Sequence, residues 1–193
     1  MEKADEERIK FLWFKKMILR IRLEGLAENE SPIYLIRWSL FTCRWFAIKL
    51  HRILLSDDDC MHDHPWSFTS FVLWGGYIEW MPLDYVADHI YNKRNKTKVC
   101  GISVKDYDPR IDFSKVRCIG GTESYPVERR PGTLIRHKAE DLHRIELYRD
   151  KNGKEIPAWT FVHATGKTRR WGFVLPSGWV DYEEYEQLFG DSR

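Results

Sequence analysis

Short runs of aromatic and β-branched residues, punctuated by turn signals, constrain this chain more than any other feature. The runs are Tyr34–Phe41, Arg44–Leu55, Ser67–Trp74, Tyr77–Met81, Val99–Val104, Gly132–Arg136, Arg144–Tyr148, Ala158–Ala164 and Arg170–Leu175. Gly75-Gly76, Pro131-Gly132, Lys151-Asn152-Gly153, Gly166 and Pro176-Ser177-Gly178 separate many of them. Many short strands with frequent turns predict an all-β sandwich or barrel. A length of 193 residues suits one such core with a short appendage.

The ends depart from this pattern. Residues 3–27 contain no Pro, and no Gly before Gly25. Phe11, Phe14, Ile18 and Ile21 recur at steps of three and four, as do Leu12, Leu19, Leu23 and Leu26. That periodicity predicts an N-terminal amphipathic helix, taken as residues 1–30, ahead of a single domain over 31–193. From Arg8 to Arg22 there are six basic and no acidic residues. The helix is therefore expected to pack on the main domain, whose tail carries Asp181, Glu183, Glu184 and Glu186, or on a second copy in a homodimer. A membrane-surface helix is the other reading. Residues 181–189 are expected to form a short closing helix. The stretch from Asp88 to Pro131 is more polar, with Lys93, Arg94, Lys96 and Lys98, and reads as an insertion around 88–130.

Composition removes several function classes. Lys+Arg is 31 and Asp+Glu is 29, a formal charge of +2, so no nucleic-acid partner is expected. No apolar run reaches about 18 residues, so no transmembrane segment is expected. The charged start is no secretory leader. Cys43, Cys60, Cys100 and Cys118 form no C-x-x-C pair and read as free thiols of a cytoplasmic protein. No nucleophile elbow, Walker loop or H-E-x-x-H is present.

The histidines carry the chemistry. In Met61-His62-Asp63-His64-Pro65-Trp66, an extended backbone aims His62 and His64 to the same side. A divalent metal needs such convergence, with a third ligand from another strand. His143 is the best candidate, after the Pro131-Gly132 turn and a second turn near Lys138–Asp141. His137 lies before that second turn, as a cavity group or a structural one. His51 and His163 read as isolated strand histidines.

These residues resemble the cupin superfamily, small double-stranded β-helix (jelly-roll) barrels with a metal inside. The first cupin motif has H-x-H, a Glu four residues on, and a Gly after an apolar strand. Here His62-x-His64 is followed by the strand Phe68–Trp74 and Gly75-Gly76. The second motif has Gly and then His about eleven residues later, as in Gly132 and His143. The resemblance covers roughly residues 33–176. The segments His62–Trp66, Leu142–Leu147 and Arg169–Phe173 are also similar to those of an uncharacterised cupin-like family of phages and bacteria. One departure stands out, because Phe68 occupies the motif's Glu position. A three-histidine shell of His62, His64 and His143 is then implied, as in the cupin thiol dioxygenases that bind ferrous iron.

The resemblance implies a metal-dependent enzyme acting on a small anionic molecule. Fe(II) dioxygenation comes first, and a Zn, Mn or Ni isomerase or hydrolase second. A cupin module that binds a small ligand without turnover is the reading from a different class. Glu79 and His137 are the candidates for moving protons. Arg52, Trp74, Arg136 and Trp159 are the candidates for holding substrate, by guanidinium fork or by ring stacking.

Overall fold

The computed structural model of the chain describes residues 15–20, 32–87 and 110–189. Its strands are β1 (Lys15–Arg20), β2 (Ile33–Thr42), β3 (Phe46–Ile53), β4 (Met61–His62), β5 (Phe68–Trp74) and β6 (Tyr77–Pro82). A helical turn, α1 (Leu83–Tyr85), ends this half. There follow β7 (Arg117–Ile119), β8 (Thr122–Arg129), β9 (Leu134–His137), β10 (Arg144–Leu147), β11 (Ala158–Thr165), β12 (Gly172–Leu175) and β13 (Gly178–Asp181). The helix α2 (Tyr182–Phe189) closes the described chain.

The strands form a jelly roll. One wall is an antiparallel sheet ordered β1-β2-β3-β11-β5-β9. The other consists of the sheets β10-β6-β8-β7 and β13-β12-β4, joined where His62 and His143 bridge backbone to backbone. Leu35, Ile53, Val72, Ile135 and Ala158 from the first wall pack on Tyr77 and Leu147 from the second. The β5–β6 hairpin needs its two glycines. Both have positive φ, and a Cβ on Gly75 would sit 2.3 Å from the Pro157 carbonyl oxygen.

Alternation decides what faces the interior. On β11, Ala158, Thr160, Val162 and Ala164 are buried, whereas Trp159, Phe161, His163 and Thr165 face outward. The cross-strand register carries this parity over the sheet. Arg37, His51, Thr160 and Val72 form one inner row, and Lys49, Val162, Ser70 and Ile135 form another. The outer face has its own row of Trp38, Leu50, Phe161, Phe71 and Leu134.

Two expectations are corrected. Lys15–Arg20 is a strand paired antiparallel with β2, not part of a helix. Met17, Ile18 and Leu19 are consecutive apolar residues, which suit either period, and Leu19 packs against the main core from the strand. Pairing with β2 thus outweighs the helical spacing, and β1 belongs to the barrel's sheet. The rest of the predicted N-terminal helix lies outside the described residues. The polar stretch around 88–130 is not wholly an insertion, since β7 and β8 are strands of the second wall. Its Lys93, Arg94, Lys96 and Lys98, and the run Val99–Val104, lie outside the described residues. No helix among the described residues is long and apolar enough to cross a membrane.

Candidate metal centre

The centre is built where β4 meets the start of β10. His62 N–H donates to the His143 carbonyl and His143 N–H to the His62 carbonyl, both at 3.0 Å. This antiparallel bridge sets the two rings side by side, 4.8 Å between centroids. His64 lies two residues on, and its backbone N–H donates to the Ala139 carbonyl at 2.9 Å. Its ring lies 5.1 Å from that of His62 and 4.9 Å from that of His143. Ligand nitrogens of the three rings all fall within 4.8 Å of one another.

Asp63 points the other way and anchors the loop. One carboxylate oxygen accepts from Gly172 N–H at 2.7 Å, and the other from Trp179 Nε1 at 3.1 Å and from Arg169. A buried carboxylate so completely satisfied fixes the backbone on both sides of it. His62 and His64 are thereby held on the cavity side.

Electrostatics keep two of the rings neutral. Burial, helped by His143 and against the opposing pull of Asp57, holds His62 down at about 4. Burial and the neighbouring His143 and His62 hold His64 well below the ordinary imidazole range. Neutral imidazoles offer lone pairs, the form that a metal requires. His143 is oriented by Glu79, whose Oε1 lies 2.6 Å from Nδ1. With Nδ1 donating to that carboxylate, the lone pair of His143 sits on Nε2, and that atom faces His64 Nε2 at 2.7 Å. Two nitrogens sharing an ion through bonds of about 2.0–2.1 Å stand about 2.9–3.4 Å apart, so a slight parting of these two rings would admit one. The donor set therefore fits a divalent metal.

Glu79 is the hub of a second cluster. It comes from β6, is 1% exposed, and also accepts at Oε1 from His137 Nε2 (2.8 Å) and at Oε2 from Arg129 Nε (2.6 Å). Burial alone would raise its pKa, but the charge of His137 and the hydrogen bonds from His137 and His143 hold it well below the usual carboxylate range. His137 moves the opposite way. Burial opposes its charge, yet Glu79 and Asp141 push it up to about 9. Its Nδ1 lies 3.6 Å from Asp141 Oδ2, which also accepts from the Tyr85 hydroxyl at 3.2 Å. Glu79, His137 and His143 also have ligand atoms within 4.8 Å of one another. A cation is nonetheless disfavoured there, because two N–H groups and a guanidinium already surround the single carboxylate.

A cavity of about 540 Å³ opens beside the histidines. Its lining includes His62, His64, His143, Glu79 and His137, together with Arg37, Lys49 and His51. The last three were missed as site residues. Their signal was parity, since Lys49 and His51 share one face of β3 with the buried Ala47 and Ile53. Phe46, Ile48 and Leu50 form the more apolar parity of that strand, yet it is the one that faces out. His163 also faces out, whereas His51 lines the cavity.

The same parity corrects all four substrate candidates. Arg52 and Trp159 are cross-strand partners on the outer face, with the guanidinium 5.5 Å from the ring, and Trp159 stacks on Trp38. Trp74 is 69% exposed at the end of β5, and Arg136 is exposed on β9. None of the four lines the cavity.

No family model and no curated protein matches the chain. Solved structures similar to it include an iron(II) form of HppE, at 12% identity over 78% of this chain and 56% of that one, with a TM-score of 0.41. The polyketide cyclase RemF from Streptomyces resistomycificus aligns at 14% identity over 95% and 94%, with a TM-score of 0.44. A cupin superfamily protein from Desulfitobacterium hafniense aligns at 11% over 76% and 99%, with a TM-score of 0.37. The chain spans little more than half the length of the HppE chain, 56%. The jelly-roll assignment rests on the chain's own antiparallel strand order.

Proposed function

We propose that this cupin binds one divalent metal through His62, His64 and His143 and acts on a small anionic molecule, with ferrous-iron dioxygenation as the reaction. The observation that carries the reading is the convergence of three imidazoles, His62 and His64 half-buried and His143 buried, on one cavity, with His62 and His64 held neutral and His143 oriented by Glu79. A bound ferrous ion supplies redox chemistry with O₂, and three neutral ligands leave its charge for an anionic substrate to balance. The protein's own residues do the rest. Glu79 keeps His143 in one tautomer, Phe68 packs edge-on against His64 at 4.8 Å where the cupin motif has a Glu, and the walls exclude water.

A second reading has its own support. Glu79, His137, Asp141 and Tyr85 form a polar chain leading away from His143, suited to moving protons in a zinc, manganese or nickel isomerase or hydrolase. Metal analysis of protein purified without chelator or metal-binding tag separates the readings. One iron per chain, O₂ uptake, and loss of both in His64→Ala and His143→Ala support the dioxygenase. Tightly held zinc without O₂ dependence supports the second reading. An absence of metal sinks both and leaves a ligand-binding module.

The proposal includes a homodimer and a cytoplasmic setting. Among the described residues Cys43, Cys60 and Cys118 form no disulfide, which suits a reducing compartment. The outer row Trp38, Leu50, Phe161, Phe71 and Leu134 crosses five strands, with Phe161 38%, Phe71 38% and Leu134 57% exposed. A continuous apolar stripe of that kind suits a second copy of the same face.

A further inference from the structure

Two cations line the cavity without an acid to answer them. Lys49 comes from β3, is 8% exposed and places Nζ 4.2 Å from the centre of the Trp66 ring. Arg37 comes from β2 and donates from Nε to His51 Nε2 at 3.1 Å. That bond uses one of the five guanidinium N–H groups. Among the described residues, neither cation has a carboxylate within ion-pair distance. Burial, then the charge of Arg37, pulls Lys49 down to about 8, and burial lowers Arg37 as well. Charges kept in this state destabilise a fold unless something compensates them. Four carboxylates line the same cavity, Asp57, Asp58, Glu79 and Glu186, and Glu79 and Asp57 are engaged elsewhere. Glu79 holds Arg129 and two histidines, and Asp57 accepts from Tyr34 and from the Ile145 backbone.

We infer that Arg37 and Lys49 form an oxyanion subsite on the cavity wall, which takes a carboxylate or phosphoryl group of the ligand. The guanidinium supplies a planar fork that matches either group, and the ammonium a point charge. His51 takes no share of the charge. Burial and the two neighbouring cations keep it neutral, so it orients Arg37 by accepting its Nε–H. Across β11, β5 and β9 from this subsite the cavity-lining residues of the same rows are uncharged, with Thr160, Val162, Ser70 and Ile135. β3 lies two strand spacings, about 10 Å, from the strand that carries Phe68. The ligand class is therefore a molecule with two separated polar ends and an uncharged middle. One end is an oxyanion held by Arg37 and Lys49, and the other is a donor directed at His62, His64 and His143. The role of the second end rests on the metal reading; the oxyanion subsite does not.

Calorimetric titration of chelator-stripped protein with inorganic phosphate and with malonate, at constant ionic strength, tests the subsite without metal. Wild type is expected to bind at least one of the two. Arg37→Met and Lys49→Met are each expected to weaken it tenfold or more, while Arg136→Met, on the outer face, stays within twofold of wild type. Without anion, both methionine variants are expected to melt at higher temperature than wild type, because an uncompensated charge has gone. Addition of the anion is expected to raise the melting temperature of wild type alone. Should either methionine variant lack a cooperative melt, Arg37→Gln and Lys49→Gln replace them. No binding by wild type up to millimolar anion overturns the inference, as does unchanged affinity in both variants. Preference for phosphate over malonate, or the reverse, identifies which oxyanion the subsite takes. If His64→Ala keeps its metal while the phosphate result holds, the metal reading fails and the subsite stands.

Discussion

Glu79 shows how much of this molecule turns on single atoms. Its two oxygens accept from His137, His143 and Arg129, three donors drawn from three strands or their ends. Glu79→Gln preserves the shape but removes the anion that compensates His137 and Arg129. Breaking a buried charge cluster of this kind costs about 3–5 kcal/mol, to be read from denaturant unfolding of the stripped protein. The amide also stops enforcing one tautomer of His143, so metal affinity is expected to fall about 10–100-fold in a competition titration. Full stability together with unchanged affinity would remove Glu79 from the site. Lys49 gives a pH signature. Its pKa in the fold is about 8 against an ordinary 10.5, so between those values the unfolded chain holds a proton that the folded chain has released. Stability from this group therefore rises with pH from about 8 to about 10.5 and is flat outside that window. Melting temperatures of wild type and Lys49→Met, compared across the window, should converge as pH increases. His62, His64 and His143 were legible because two of them obey strand parity and the third sits at a family spacing. Glu79's partners were not, since they lie across strand pairings that local sequence does not state. Arg37 and Lys49 were hidden because the buried cations share β2 and β3 with bulkier apolar residues that face outward.

At the level of elements, strands whose residues are apolar and bounded by Gly or Pro turns were read to within a few residues. The β5–β6 hairpin is an example, with its Gly75-Gly76 turn. β8 was passed over because Pro126 and several charges interrupt it. The proline is tolerated because β7 pairs only with Thr122–Ser124, which leaves that flank of Pro126 without a donor requirement. β1 was misread because a strand at a sheet margin takes its conformation from the neighbour, not from its own period. β12 is the element on which the centre most depends. A Cβ on Gly172 would lie 1.9 Å from the Val180 carbonyl oxygen, and the same residue's N–H holds Asp63. Gly172→Ala is therefore expected to pry β12 from β13, lower the melting temperature and reduce metal retention together. Loss of stability with metal retention intact would uncouple this strand from the centre.

For the whole molecule, the jelly roll has two unlike faces on its larger sheet. The interior row carries Arg37, His51 and Lys49, and the exterior row carries Trp38, Leu50, Phe161 and Phe71. This inversion of the usual pattern suits the ligand proposed for the interior and the second copy proposed for the exterior. Phe161→Glu is expected to convert a dimer to a monomer by light scattering, with metal content unchanged. A monomeric wild type would withdraw the dimer. The Asp63 clamp has a consequence in time as well as in space. Its three donors, Arg169, Gly172 and Trp179, all come from the last strands or the loop before them, although the histidines it steadies lie near residue 63. On the ribosome, the loop bearing two of the imidazoles stays unanchored until the segment from Arg169 to Trp179 has emerged. A chain that stops short of Arg169 therefore lacks all three donors that hold the histidine loop in place.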